Sequence, residues 1–270
     1  MALYDIIDDI TNRQVQKTET GDNRVFGLMI GVVVKNYDKS MPGRVCVEIP
    51  VRDTDANTVK WAKLVTNSAG RSWGTYFLPE VGDQVVLGFE GGNFEKPYIL
   101  GCLAMDNNKV FNEASDENNQ YKVIRSRHGS SIRFVDNKEG DGEKDQLQVQ
   151  TAKAEHTLLL DNENHYMRLT DKKKKNMIEM ETENGNTTIK AEKRLVIKVG
   201  TNISLTMDSE TGAVTLKCDK FNVESTNSIK IKSDGNFHID GGSLSIQASS
   251  SLKAESSGTA QIKGASVQLG

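Results

Sequence analysis

Val214-Thr215-Leu216, Phe221-Asn222-Val223, Ile229-Lys230-Ile231, Phe237-His238-Ile239, Leu244-Ser245-Ile246, Leu252-Lys253-Ala254, Ala260-Gln261-Ile262 and Val267-Gln268-Leu269 form the series that decides the fold. Their starts fall seven or eight residues apart. Each triplet sets a polar residue between two apolar ones, the alternation of a strand with one buried side. Ser, Asn, Asp, Gly, Glu and Lys fill the gaps, where they make turns and face water. A strand of three residues buries too little surface to fold by itself. Stacked copies share a core, so the pattern predicts a β-solenoid or fibre.

A unit of this length has room for one short strand and one corner. With three units to a turn, one chain needs roughly 24 residues to circle the axis, while strands must lie about 4.8 Å apart to hydrogen-bond. Two further chains would fill the gaps, place every inward side chain in one dry core and leave no open edge along the side. The span from Val214 to Leu269 would then be on the order of 35 Å long. A single-chain β-helix, the alternative, needs longer turns with several strands per coil.

Upstream, the chain divides into four stretches. Residues 1–24 open with Leu3, Ile6, Ile7 and Ile10 at helical spacing and Asp5, Asp8 and Asp9 between them, a short amphipathic helix followed by a polar linker. That helix either packs on its own domain or docks into a partner. Residues 25–105 hold five strand patterns: Val25 to Val34, Arg44 to Ile49, Trp61 to Val65, Val85 to Phe89 and Pro97 to Gly101. Five bent strands in so short a stretch suit a small closed barrel of the oligonucleotide/oligosaccharide-binding (OB) type. Residues 106–122 are polar and read as a linker. Residues 123–206 read as an irregular, sheet-rich neck, and residues 207–270 as the regular β-helical needle.

Composition narrows the function. Thirty-four basic residues against thirty-seven acidic ones give a net charge of −3 without clustering, which argues against nucleic acid as a partner. No apolar run approaches a membrane span, and the acidic start is wrong for a secretory signal, so synthesis in the cytoplasm is expected. Cys46, Cys102 and Cys218 each sit in a strand-like pattern and read as buried thiols rather than disulfides or ligands. His128, His156, His165 and His238 have no partner at metal-ligand spacing, and alternation turns His238 outward. Asp8-Asp9, Asp53 with Asp55, and Glu181 with Glu183 lie in polar loops or on solvated faces, and Lys172 to Lys175 reads as a solvated loop. The sequence therefore offers no catalytic, cofactor or metal residues.

The barrel segment resembles a known family through Gly31-Val32-Val33, Asn36-Tyr37-Asp38, Pro42-Gly43-Arg44-Val45, Ile49-Pro50, Trp61-Ala62, Trp73-Gly74, the run Phe77 to Val85, Gly88-Phe89, Gly91-Gly92 and Pro97 to Gly101. Together these are similar to the barrel of the central spike of contractile injection machines, the phage baseplate spikes and VgrG proteins of type VI secretion. The resemblance covers about 75 residues, and a β-fibre follows the barrel in the same order. It implies an all-β chain: a five-stranded OB-type barrel followed by an intertwined trimeric β-helix, a triangular prism. The implied role is a non-enzymatic homotrimeric spike that makes transient mechanical contact with a target envelope. Two departures are visible, since only about 24 residues precede the barrel where relatives carry a hub domain, and no lysozyme separates barrel from fibre. A separate hub or baseplate protein would then receive Leu3, Ile6, Ile7 and Ile10, and a small tip protein would cap Val267 and Leu269. Delivery would occur within a phage-tail-like particle. A trimeric polysaccharide-cleaving tail fibre and a passive adhesin remain the alternatives.

Overall fold

The computed structural model describes residues 23–50 and 58–268. Strands β1 (Met29–Lys35), β2 (Arg44–Glu48), β3 (Val59–Leu64), β4 (Gln84–Phe89) and β5 (Pro97–Cys102) close into a barrel in the order β1-β2-β3-β5-β4. All neighbours are antiparallel except β3 and β5, which run parallel through Lys63 opposite Tyr98 and Leu64 opposite Ile99. Alternate residues point inward, so Val33, Val45, Val47, Ala62, Val85, Leu87 and Ile99 form the core together with Ile49. Gly31 lets β1 pass close over that core, since a Cβ there would lie 2.9 Å from Leu87 Cδ1.

The corner before β4 is built as its residues require. Gly82 takes φ +97, the Asp83 carboxylate accepts from the Glu80 amide at 2.8 Å, and the Gly82 amide donates to the Val33 carbonyl at 2.8 Å. The first strand is shorter than the Val25–Val34 run predicts. Its ladder begins at Met29 opposite Leu87, and before that the chain is pinned by the Val25 amide on the Gly92 carbonyl at 2.8 Å.

Two readings of the middle of the chain need correction. Residues 106–122 are more than a linker, because they contain helix α1 (Lys109–Ala114) and the start of strand β6 (Tyr121–Arg125). Asn108 caps α1, accepting from the Val110 and Phe111 amides at 3.0 and 3.2 Å, a signal hidden in a polar run. The stretch after it is a regular sheet rather than an irregular neck. Strands β6 (Tyr121–Arg125), β7 (Ser131–Val135), β8 (Gln146–Gln150), β9 (His156–Asp161), β10 (Tyr166–Asp171), β11 (Met177–Glu181) and β12 (Asn186–Lys190) form an antiparallel meander in sequence order. Strands β13 (Arg194–Val199), β14 (Ile203–Asp208) and β15 (Ala213–Lys217) make a three-stranded sheet, which takes in the first triplet, Val214-Thr215-Leu216.

Beyond Cys218 the backbone bends at Asp219, Thr226–Asn227, Asp234–Gly235, Gly242, Ser249–Ser250, Ser257–Gly258 and Ala265–Ser266. One corner therefore falls between each pair of successive triplets. Among the described residues no strand forms in this stretch, and no backbone–backbone hydrogen bond joins one triplet to the next.

Candidate functional site

Directly opposed residues in an antiparallel sheet share a face, and the meander's register therefore sorts its side chains without ambiguity. One row runs Ile124, Ile132, Val149, Leu158, Leu169, Ile178 and Ile189. Beside it runs Lys122, Phe134, Leu147, Leu160, Met167, Met180 and Thr187. Every strand contributes to one apolar face, and most of its side chains are left exposed. Leu169 is 49% exposed and Ile189 53%. At the β6 end, Phe77 from the barrel joins Ile124, Ile132, Val149, Leu158 and Leu169 around a hollow of about 450 Å³.

The opposite face is polar and internally paired. The Arg133 and Arg168 guanidinium groups each lie 4.2 Å from the ring centre of Tyr121 and Tyr166 respectively, and Arg168 also pairs with Glu179 across the strands. Asp161 is buried in the β9–β10 hairpin, where it accepts from the Asn164 amide at 3.0 Å and from Gln146 Nε2 at 3.0 Å. Burial raises its pKa, yet the donors from Asn164, Tyr166 and Gln146 outweigh that and hold the carboxyl below its ordinary value. The turns are stitched as well. Glu155 with Lys172, Lys175 with Glu192, and Lys193 with Glu210 are ion pairs between residues seventeen apart. That interval is two strands and the turn between them, one hairpin, a spacing that the apolar pattern alone did not reveal. The Lys172 to Lys175 run is therefore paired at both ends, not simply solvated.

The residues singled out by sequence fall as follows. Leu3, Ile6, Ile7 and Ile10 lie outside the described residues, as do Asp53, Asp55 and Leu269. Val267 is described and half exposed, and His238 faces solvent. Cys46 is buried, but Cys102 ends β5 at the barrel rim and is exposed, and Cys218 is intermediate, so only one of three thiols matches the buried reading. Glu181 accepts from the Asn184 and Asn186 side-chain amides at 3.3 and 3.2 Å, which gives it a structural task in its hairpin. Among the described residues no group of His, Cys, Asp or Glu is placed to hold a metal ion. No helix among them is long and apolar enough to cross a membrane.

Residues 29–103, the whole closed barrel, match the family described as the type VI secretion system/phage-baseplate injector OB domain. The barrel is an injector OB domain. A curated relative, the "Type VI secretion system spike protein VgrG5" of Pseudomonas aeruginosa, is 25% identical over 144 residues. That alignment covers 51% of this chain and 17% of the relative, so the chain spans under a fifth of that protein's length. Its share of this chain is longer than the injector OB domain by itself, and the chain is VgrG-like over that extent. Strands dominate from Met29 to Lys217, with the injector OB domain as the closed unit and the meander as the open one.

Proposed function

We propose that the chain is the structural central spike of a contractile tail or injection machine, acting as a homotrimer without catalysis. The uncovered apolar face of the meander carries this reading. Ten large apolar side chains at roughly two-fifths to one-half exposure leave on the order of 700 Å² open, more than the few hundred Å² that monomers usually tolerate. A second copy of the same face supplies a matching apolar surface, and closure around an axis removes it from water.

The corner interval favours three copies over two. Two meanders could pack face to face as a sandwich, but the bends after every triplet from Asp219 onward would then serve no ladder. A three-sided prism uses each bend as an edge, and neighbouring chains supply the hydrogen bonds that successive triplets do not give each other. Such a ladder has no free side edge to peel, which suits a needle that pierces an envelope. A hub protein at the N-terminal end and a tip protein at Val267 complete the reading.

Amide hydrogen exchange across residues 219–268 tests it. The spike reading expects slow exchange at the triplets and fast exchange at the bends. Uniformly fast exchange through this stretch in the assembled protein would overturn it.

A further inference from the structure

The connection from β3 to β4, residues 65–83, carries large apolar side chains that its own chain leaves open. Trp73, Tyr76 and Phe77 are 67%, 71% and 68% exposed. Their backbone is nonetheless tied down. The Gly70 amide donates to the Trp73 carbonyl at 2.8 Å, the Thr75 amide to the Ser68 carbonyl at 3.2 Å, and Ala69 bridges to Gly74. Gly74 at φ +146 allows that approach, since a Cβ there would meet the Ser68 carbonyl oxygen at 2.8 Å. Gly70 gives the Trp73 indole its seat, because a Cβ there would lie 2.3 Å from Nε1. Ordered backbone under exposed aromatic rings is the make-up of a contact surface, where Trp and Tyr supply much of the binding energy.

Two contacts make this arm continuous with the apolar face of the meander. Phe77 lines the hollow formed by Ile124, Ile132, Val149, Leu158 and Leu169. Three residues on, Glu80 pairs with Arg127 of the β6–β7 turn at 3.2 Å, which sets the base of the arm against the meander. Whatever covers that end of the meander therefore also reaches Phe77 and the rings beside it. Area points to the same occupant. About 700 Å² of meander face, shared between two neighbours in a ring, falls short of the roughly 800 Å² a side of a stable interface. Three aromatic rings at about two-thirds exposure add on the order of 400 Å² at the barrel end. We propose that the β3–β4 arm is a clasp between copies of this chain, with Trp73 and Tyr76 seated on the neighbouring copy. The inference rests on the spike reading for the presence of that neighbour, and it extends the contact from the meander to the barrel.

Tryptophan fluorescence of the full chain tests the clasp. Trp61 and Trp73 are the two tryptophans of the sequence, so Trp61→Phe leaves Trp73 as the reporter. In the assembled chain its emission should shift to the blue. Acrylamide should quench it about fivefold less than in the Leu169→Glu variant, because a seated ring is shut off from solvent. Trp73→Ser/Tyr76→Ser should weaken assembly about tenfold on dilution, as loss of anchoring aromatics does. The same pair of changes added to Leu169→Glu should leave the melting temperature unaltered, since both rings lie open there. An assembled chain whose Trp73 is quenched as freely as N-acetyltryptophanamide, or assembly untouched by loss of both rings, would overturn the proposal. The subunit number of the same samples separates the two claims. A three-chain species with Trp73 open sinks the clasp alone, and a two-chain species with Trp73 shielded sinks only the three-copy spike. A folded single chain sinks both.

Discussion

Leu169 on β10 stands directly opposite Leu158 on β9 and, across its other edge, opposite Ile178 on β11. The three lie mid-row on the apolar face, so a change at Leu169 reads the state of that face. In the proposed assembly this side chain would be buried against other copies. Leu169→Glu should therefore disperse the assembly, because an unpaired buried charge costs several kcal/mol in each copy. Thr170→Glu, one residue on and facing the other side, should leave it intact. Size-exclusion chromatography with light scattering distinguishes the two.

Gly31 tests the barrel independently of assembly. A Cβ there meets Leu87 Cδ1 at 2.9 Å and the Glu48 carbonyl oxygen at 3.3 Å, and Leu87 is fully buried with no room to retreat. Gly31→Ala should cost about 1–3 kcal/mol through overpacking. Gly27→Ala meets nothing within 4 Å and should be near neutral. Thermal melting of both variants checks the difference.

Arg168 and Glu179 are a half-buried pair on the polar face, with Arg168 also stacked on Tyr166. Arg168→Ala should cost about 2–3 kcal/mol, since it strands the carboxylate in a poorly solvated position. Removing both partners should recover part of that loss, and a double-mutant cycle in urea measures the coupling.

Acid should loosen the hairpins. Asp171 accepts from the Lys175 amide, the Asn176 side chain and the Asn176 amide, and these hold its carboxyl below its ordinary value. Asp208 is lowered by the Thr211 and Glu210 amides. A carboxylate whose pKa is lower folded than unfolded stabilises fully above the unfolded value and loses that contribution as pH falls through the folded one. The melting temperature should thus hold down to about pH 4 and fall below it, and Asp171→Asn should flatten the decline. Thermal melts from pH 6 to pH 2 read it.

Much of this molecule was legible because its information is local. Alternation placed all five barrel strands, with ends set by Gly43, Gly82 and the Gly91–Gly92 turn, each at positive φ as those turns require. The meander was harder. Its triplets, such as Met167-Arg168-Leu169, announced strands, but their pairing depends on turns whose Asx bonds, like Asp171 with Asn176, carry no apolar signature. The uncovered face was hidden for the same reason, since only the register shows that Ile124 and Ile189 belong to one row. Cys102 was misread because an apolar flank was taken for burial; it ends β5 three residues after the buried Ile99, where strand alternation turns it outward.

Subunit number in solution tests the central claim most directly. Sedimentation equilibrium of the full chain, followed through serial dilution to nanomolar concentration, should return one species of three chains with no smaller folded form. A well-folded single chain at those concentrations would contradict the account.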